Sequence, residues 1–347
     1  MKKMLLDGSL NRYKANLHCH TTVSDGQLTP EQVKELYKKN GYSVIAYTDH
    51  DVMIAHDDLN DEGFLALHGY EMEINDAHST DMSHKTCHMC LIQRDPDNMR
   101  QVCWHREKYL FANAVKYRDQ VQFDESLPDF ERVYNGETIS KMMQIGRDNG
   151  FFVTYNHPVW SLEFAENYLN YHGMHAMEIC NYSCFIDGYE DYSPVIYDEI
   201  LKNGERIYCI AADDNHNDRP LDSKSTDSCG VFTVIFAKEL TYKAIMDALF
   251  AGHFYASQGP EIYSMYFDPE EKRINLKCSP AARIFSSTNR RRRWSYYQEN
   301  EPLTEAGFRL HDDDKYLRLT VVDEFGRRAN TVAYWRDDLL DGEETVK

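Results

Sequence analysis

Histidine and carboxylate residues with metal-ligand chemistry recur at short, regular spacings in this chain. The segment His18-Cys19-His20 places two imidazoles two residues apart, and Asp214-Asn215-His216 repeats that spacing with a carboxylate. Residues two apart on a strand point to the same face, so each pair can serve one site. Imidazole and carboxylate ligands together suit zinc, manganese or iron. These two segments therefore indicate metal chemistry.

More residues of the same types lie along the chain between the two pairs. Any one histidine is more often a satisfied core or surface residue than a ligand, but a joint and ordered set favours a metal centre. Nine ligands exceed the needs of one ion, so we predict two or three divalent ions, Zn, Mn or Fe. The candidate metal ligands are His18, His20, Asp25, His50, Glu71, His88, His157, Asp214 and His216.

Short apolar runs precede or contain most of these candidates, and helix-like segments separate the runs. The runs mostly lack period-2 alternation, as buried parallel strands do. The alternation predicts an α/β fold with a parallel sheet or barrel. Ligands gather at the carboxyl ends of such strands, so the candidates should converge there. The predicted strands are Ala15–Leu17, Ser43–Tyr47, Phe64–Leu67, Cys87–Ile92, Phe151–Tyr155, Ala176–Ile179 and Arg206–Ala211.

The pattern changes near Gly259-Pro260, where alternating strands separated by turn signals begin. These strands predict a small all-β unit of immunoglobulin size. We therefore expect two domains, at residues 1–257 and 258–347. The predicted strands of the second domain are Ile262–Phe267, Arg273–Cys278, Ala282–Phe285, Arg309–His311, Tyr316–Val322 and Thr331–Trp335.

The overall charge limits the partners. The 347 residues carry a formal net charge of −19, and such a surface repels the phosphate backbone of nucleic acids, so general nucleic-acid binding is not expected. A phosphate-bearing substrate would then need a local positive centre, which metal ions supply. The first twenty residues hold no apolar run of signal-peptide length, and we expect no membrane span. A cytoplasmic protein with nine reduced cysteines is the prediction.

The ordered set of motifs resembles the PHP family, named after polymerase and histidinol phosphatase. The motifs are Asn16-Leu-His-Cys-His-Thr-Thr-Val-Ser-Asp-Gly, Thr48-Asp-His-Asp, Gly69-Tyr-Glu71, Asn156-His-Pro and Asp214-Asn-His216, with a mid-chain histidine before an apolar run. The match covers about residues 12–257. The downstream segment Gly252-His-Phe-Tyr-Ala-Ser-Gln-Gly-Pro and the β-rich tail resemble bacterial two-domain PHP metal-dependent phosphoesterases that carry a C-terminal β-sandwich.

This resemblance implies a distorted, TIM-like (βα)7 barrel followed by a small immunoglobulin-like domain. It also implies three ligand sets at the barrel mouth. The mid-chain histidine is assigned to His88, with His84 and His78 as nearby alternatives. The first ion would be held by His18, His20, Glu71 and Asp214, the second by Glu71, His88 and His157, and the third by Asp25, His50 and His216.

The implied activity is that of a metal-dependent phosphoesterase acting on a small phosphorylated metabolite. A hydroxide that bridges two ions would attack phosphorus in line. Two alternatives stay open: the same cluster could hydrolyse a non-phosphate ester or amide, or the chain could be a metal-stabilised binding module. A homo-oligomer is also left open. The residues expected to carry catalysis are Glu71, His18, His20 and Asp214.

Some neighbouring residues are secondary candidates. Asp49, Asp51 and Asp213 could protonate the leaving group, although a hydrogen bond to a ligand histidine is the more frequent role. Arg219 could grip the phosphate, but a surface position is the more frequent outcome for such a residue. Trp160 could stack on a nucleoside or sugar, with core packing as the default.

Overall fold

The computed structural model describes residues 2–76 and 84–341, which form a mixed α/β structure. The first strands are β1 (Lys3–Leu6), β2 (Asn11–Asn16), β3 (Val44–Tyr47), β4 (Leu65–Asn75), β5 (Thr86–Gln93), β6 (Arg100–Gln101), β7 (Gln122–Phe123), β8 (Phe151–Tyr155), β9 (Ala176–Asn181) and β10 (Tyr208–Ala212). The later strands are β11 (Phe232–Ala237), β12 (Phe254–Ser257), β13 (Ile262–Asp268), β14 (Arg273–Ala281), β15 (Arg283–Thr288), β16 (Ser295–Tyr297), β17 (Leu303–Arg309), β18 (Tyr316–Val322), β19 (Arg328–Thr331) and β20 (Tyr334–Trp335).

Helices occur mainly in the connections of the first region, by which we mean the part of the chain up to residue 257. Two 3₁₀ helices, Asp57–Leu59 and Ala112–Gln120, accompany them. The α-helices are α1 (Pro30–Lys39), α2 (Gly136–Asp148), α3 (Ala165–Tyr168), α4 (Tyr182–Ile186), α5 (Pro194–Asn203), α6 (Tyr242–Phe250) and α7 (Arg336–Leu340).

Helix α1 shows how local sequence sets these boundaries. Thr29 and Gln32 form a capping box, in which each side chain accepts a hydrogen bond from the other residue's backbone N–H. The helix buries Val33 and Tyr37 against the sheet, and Gly41 follows its end at φ 79°. Thr29 is therefore the N-cap residue that begins the helix.

One large sheet positions the candidate residues. Its strand order is β10-β9-β8-β5-β4-β3-β2-β11-β12-β19-β18-β15-β16, with β20 beside β18. The ladders β2–β3–β4 and β8–β9–β10 are parallel, as predicted, but β5 runs antiparallel to both neighbours. Only ten residues separate Asn75 from Thr86. That is shorter than a parallel crossover normally requires, so the chain returns antiparallel.

The expected (βα)7 barrel and immunoglobulin-like domain are not confirmed. Across the described residues, the strand ladders follow an open path and no closed barrel is formed. The two ends of the first region still meet: Cys19, just beyond β2, forms an isolated parallel bridge with Asn215, just beyond β10. This bridge places the segments after β2 and β10 side by side.

The apolar core continues into the second region, by which we mean the part of the chain from residue 258 onward. Strands β1, β13, β14 and β17 form a separate four-stranded sheet, so the N-terminal strand belongs to the sheet of the second region. Leu6, Val234 and Leu319, from β1, β11 and β18, share one apolar cluster. The ladder between β12 and β19 also carries the large sheet past residue 257. The domain division at 257/258 stays a prediction.

All nine cysteines are free thiols, and Cys87 and Cys90 are buried in β5. Within the described ranges, no helix has the length and apolar character needed to cross a lipid bilayer.

Candidate metal centre

The carboxylate of Glu71 lies at the middle of a ring of imidazoles. Glu71 is on β4 and is 1% exposed. Five histidine nitrogens lie within 3.5 Å of its two oxygens. Oε1 faces His18 Nε2 at 3.2 Å, His88 Nδ1 at 3.2 Å and His157 Nε2 at 3.5 Å. Oε2 faces His20 Nε2 at 3.4 Å and His50 Nδ1 at 3.3 Å.

The structure brings all nine candidate ligands together in three overlapping groups. Within each group the potential ligand atoms lie within 4.8 Å of one another, a spacing that could hold a metal ion. The groups are His18, His20, Glu71 and Asp214; then Glu71, His88 and His157; then His20, Asp25, His50 and His216. The third group also contains His20, which the resemblance assigned to the first ion only. The ligand roles themselves stay predictions.

Strand ends explain the convergence. The segments after β2, β3, β8 and β10 carry His18, His50, His157 and Asp214, so the carboxyl ends of parallel strands supply these side chains. His88 lies in the first half of β5. Because β5 is antiparallel, that half lies at the same edge as the carboxyl ends of its neighbours, and His88 pairs with Glu73 of β4.

His88 is the mid-chain histidine that the structure brings to this centre. Its Nδ1 faces Glu71, and its Nε2 lies 3.5 Å from Oε2 of Glu73. His84 is described but belongs to none of the three groups. His78 lies outside the described residues.

Two candidate ligands lie at tightly bent backbone positions. His157 has φ 25° and Asp214 has φ 54°, which are left-handed values that non-glycine residues seldom adopt. Neighbouring strands hold the second of these turns, because Asp214 N–H donates to His18 O at 3.0 Å. Such backbone costs on the order of 1–3 kcal/mol and concentrates at functional sites.

The electrostatics of the group are set by burial and by opposite charges. Burial alone would lower the pKa of His18, but Asp214, Cys90 and Glu71 outweigh it and raise the pKa well above its usual value. Burial would raise the pKa of Glu71, but His18, His88 and His50 hold it well below normal. The carboxylates are therefore ionised, and their field attracts positive charge.

Several buried ligand atoms in the described part of the chain have no hydrogen-bond partner, so they are free to bind metal ions. His18 Nε2 and His20 Nε2 face each other at 3.0 Å. Among the described residues, the buried atoms His20 Nδ1, His50 Nδ1, His88 Nδ1 and Asp214 Oδ1 make no hydrogen bond. Buried polar atoms without partners are costly, and cations between them would provide partners. The donor set fits divalent metal ions.

A buried carboxylate that the sequence did not single out lies behind this centre. Glu178 of β9 is fully buried, and its Oε1 lies 2.7 Å from His18 Nδ1. Its Oε2 accepts from the backbone N–H of His157 at 3.0 Å and from Asn181 Nδ2 at 2.9 Å. An acid inside the apolar run Ala176–Ile179 was the available signal, since a buried charge normally needs partners.

Two amides hold the carboxylates of the centre. Asn156 Nδ2 donates to Glu71 Oε1 at 2.8 Å, and Asn181 Nδ2 donates to Asp214 Oδ2 at 3.1 Å. These bonds fix the orientation of the carboxylates, which is the role that outer residues have at metal sites.

The three acids considered as proton donors have other partners. Asp49 accepts hydrogen bonds from the 21–24 loop. Asp51 forms a buried ion pair with Arg132. Asp213 accepts from three backbone N–H groups of a neighbouring loop, and burial raises its pKa to about 7. The expected hydrogen bonds from these acids to ligand histidines are not found, because loop groups bond the oxygens of Asp49 and Asp213 and Arg132 bonds those of Asp51.

A cavity of about 320 Å³ opens in front of the centre. Trp160 and Phe111 contribute half-buried rings to its wall. Arg219 also lines the cavity, and its guanidinium is ion-paired with Asp187. Trp160 therefore faces the candidate site, and Arg219 lies nearer to it than a purely surface position would imply.

Comparisons with known proteins give structural relatives only. No family model and no curated protein matches the chain. A two-domain protein from Bacteroides vulgatus containing a predicted PHP-like metal-dependent phosphoesterase matches at 16% identity and a TM-score of 0.43, covering 95% of this chain and 88% of that one.

Two further structures match a smaller share of the chain. A candidate metal-dependent phosphoesterase from Bifidobacterium adolescentis matches at 15% identity and a TM-score of 0.39, covering 60% of this chain and 90% of that one. An amidohydrolase from Chromobacterium violaceum, solved with sulfate and without metal, matches at 15% identity and a TM-score of 0.35. The match covers 58% of this chain and 87% of that one. Two of the three structures bear the name of a metal-dependent phosphoesterase, one of them PHP-like.

Proposed function

We propose that this chain is a metal-dependent hydrolase of the PHP type that cleaves a phosphate ester of a small metabolite. The observation that carries the proposal is the position of Glu71, whose two oxygens meet five histidine nitrogens within 3.5 Å. A carboxylate shared between ligand groups is suited to hold cations close together. Ions about 3.5–4 Å apart are the arrangement used for phosphoryl transfer.

Two or three divalent ions are proposed, with zinc, manganese or iron as occupants because imidazole and carboxylate ligands suit them. When bound, such ions supply an activated water and neutralise charge that develops on the phosphoryl group. The proposed ligands are His18, His20, Glu71 and Asp214 for the first ion, Glu71, His88 and His157 for the second, and Asp25, His50 and His216 for the third.

The chain's own residues prepare this centre. With a metal ion bound, His18 would be neutral, its hydrogen on Nδ1 where Glu178 accepts it and the lone pair of Nε2 directed to the cluster. Asn156 holds Glu71 in the same way that Asn181 holds Asp214. Preset orientation lowers the reorganisation needed when ions and substrate bind.

The first experiment is metal content, measured on protein purified without added metal, beside a substrate panel. We expect two or three ions per chain and hydrolysis of phosphate monoesters or diesters with added Mn or Zn. Turnover of carboxyl esters or amides alone would support the alternative hydrolase. Bound metal without turnover of any ester or amide would favour the metal-stabilised binding module, and protein that holds no metal would overturn the proposal.

The second experiment is a matched pair of substitutions. Glu71→Gln removes the shared charge, so we expect loss of bound metal and a fall of at least about 100-fold in kcat/KM. Glu62→Gln makes the same chemical change at an exposed position and should alter neither. Equal metal content in both variants would contradict the central role of Glu71.

A further inference from the structure

The rim of the cavity is strongly acidic beyond the ligands themselves. Four carboxylates that belong to none of the ligand groups line it: Glu73, Asp187, Asp218 and Asp227. Arg219 is the one arginine or lysine of the lining among the described residues, and it is paired with Asp187. A group that extends outward from the metal centre therefore meets net negative charge.

Two aromatic residues line the same cavity close to the ligands. The ring of Phe111 lies 4.7 Å from that of His50. The ring of Trp160 lies 4.9 Å from that of His157 and 5.3 Å from that of His88. Both rings stand beside the place where a phosphoryl group would bind, so the group attached to it would lie against them. Flat apolar groups and cations both gain from such contacts.

From these two features we propose that the cavity selects phosphate esters whose leaving group is aromatic and either uncharged or cationic, and discriminates against leaving groups that carry a second anion. The inference rests on the proposed function for the position of the phosphoryl group. A cleft lined by charges of one sign concentrates ligands of the opposite sign. A second anion would find a single guanidinium whose charge Asp187 already offsets.

Binding of non-hydrolysable analogues tests this selectivity without relying on turnover. Benzylphosphonates that carry a para aminomethyl group, hydrogen or carboxylate share one scaffold and differ in charge. With metal-loaded protein, calorimetry should show the aminomethyl compound binding at least about tenfold tighter than the carboxylate, with the neutral compound between. High salt should reduce the ratio, because it screens the rim. Equal or reversed affinities would overturn the inference.

Matched variants locate the effect. Asp218→Asn removes one rim charge and should reduce the affinity ratio, whereas Asp222→Asn changes an exposed acid of the same loop outside the cavity and should not. Trp160→Leu should weaken all three benzylphosphonates relative to methylphosphonate. An unchanged ratio in Asp218→Asn, or unchanged benzyl affinities in Trp160→Leu, would argue against the corresponding half of the inference.

The corresponding phenyl phosphates, which have an ester oxygen in place of the bridging CH2, separate this inference from the proposed function. If the charge order appears in binding while no ester is hydrolysed, the selectivity stands and the phosphoesterase proposal falls. If the esters are hydrolysed with the carboxylate compound preferred, the phosphoesterase proposal stands and the selectivity falls.

Discussion

His18 Nδ1 lies 2.7 Å from Oε1 of Glu178, and both side chains are fully buried. The other oxygen of Glu178 accepts from the backbone N–H of His157. One carboxylate therefore orients the ring of a residue from the first ligand group and fixes the backbone of a residue from the second. This relationship couples two groups that are far apart in sequence.

Replacement of Glu178 should weaken metal binding while leaving every proposed ligand in place. We expect Glu178→Gln to lower metal affinity by about 10–100-fold, because an amide cannot accept from all of the N–H groups that now point to the carboxylate. Competition with a chromogenic chelator measures this. Glu166→Gln, at a side chain that is 75% exposed, is the control. Equal affinities in the two variants would remove Glu178 from the centre's machinery.

Glu163 should stabilise the loop that carries His157 and Trp160. Its carboxylate accepts hydrogen bonds from the hydroxyls of Tyr134, Tyr155 and Tyr171. Glu163→Ala leaves these hydroxyls without their acceptor, so we expect a loss of about 3 kcal/mol in the free energy of unfolding by urea.

Tyr134→Phe removes a single hydroxyl from the same cluster and should cost about 1 kcal/mol. If Glu163→Ala costs no more than Tyr134→Phe, the shared carboxylate does not hold the cluster together.

His175 should make the protein less stable as the solution becomes acidic. Burial, with a smaller effect of Arg147, lowers its pKa to about 3, against an ordinary value of 6.5. Below pH 6.5 the unfolded chain therefore binds a proton that the folded chain does not. Stability from this group is complete above pH 6.5 and declines as the pH falls towards 3, by about 1.4 kcal/mol at pH 5.5.

The test is His175→Asn, since an amide oxygen can still accept the bond that Nδ1 receives from Val153 N–H at 3.0 Å. Urea unfolding of both proteins at pH 7.5 and 5.5 isolates the histidine, because their other titrating groups are the same. The variant should lose about 1.4 kcal/mol less than the parent protein. Parallel losses would contradict the assignment.

A buried ion pair should fix the second region against the first. Arg318 of β18 is 2% exposed, and its Nε donates to Asp198 Oδ1 of α5 at 2.7 Å. Asp198→Leu leaves the guanidinium buried without a counter-charge, so we expect a loss of about 3–5 kcal/mol in unfolding free energy. Adding Arg318→Met should restore most of it. If Asp198→Leu alone leaves the unfolding free energy unchanged, the ion pair contributes little to stability.

Most of the candidate ligands could be found from sequence because they lie near a strand end with a recognisable neighbour, as in Asn156-His157-Pro158. Period and spacing predicted the strands β3, β8 and β9 closely. The direction of β5 could not be found from its apolar residues, because a buried strand has the same composition in either direction. It followed instead from the short connection before Thr86.

Glu178 was missed for a different reason. A single acid in an apolar run does not reveal a distant partner, and His18 becomes its neighbour only when the segment after β2 approaches β9 in the fold. The acidic rim was equally hidden, since Glu73 and Asp218 come from segments far apart in the chain.

The pairing of β1 with β13 has a practical consequence for anyone who wishes to dissect the molecule. Leu5 and Leu6 of β1 bury themselves among side chains of the second region. A fragment cut after Ser257 would keep β1 but lose β13, the strand with which it pairs. The unpaired, apolar strand β1 would then be exposed and could associate with other molecules. Separate production of the two halves should therefore begin by giving Lys3–Leu6 to the C-terminal half.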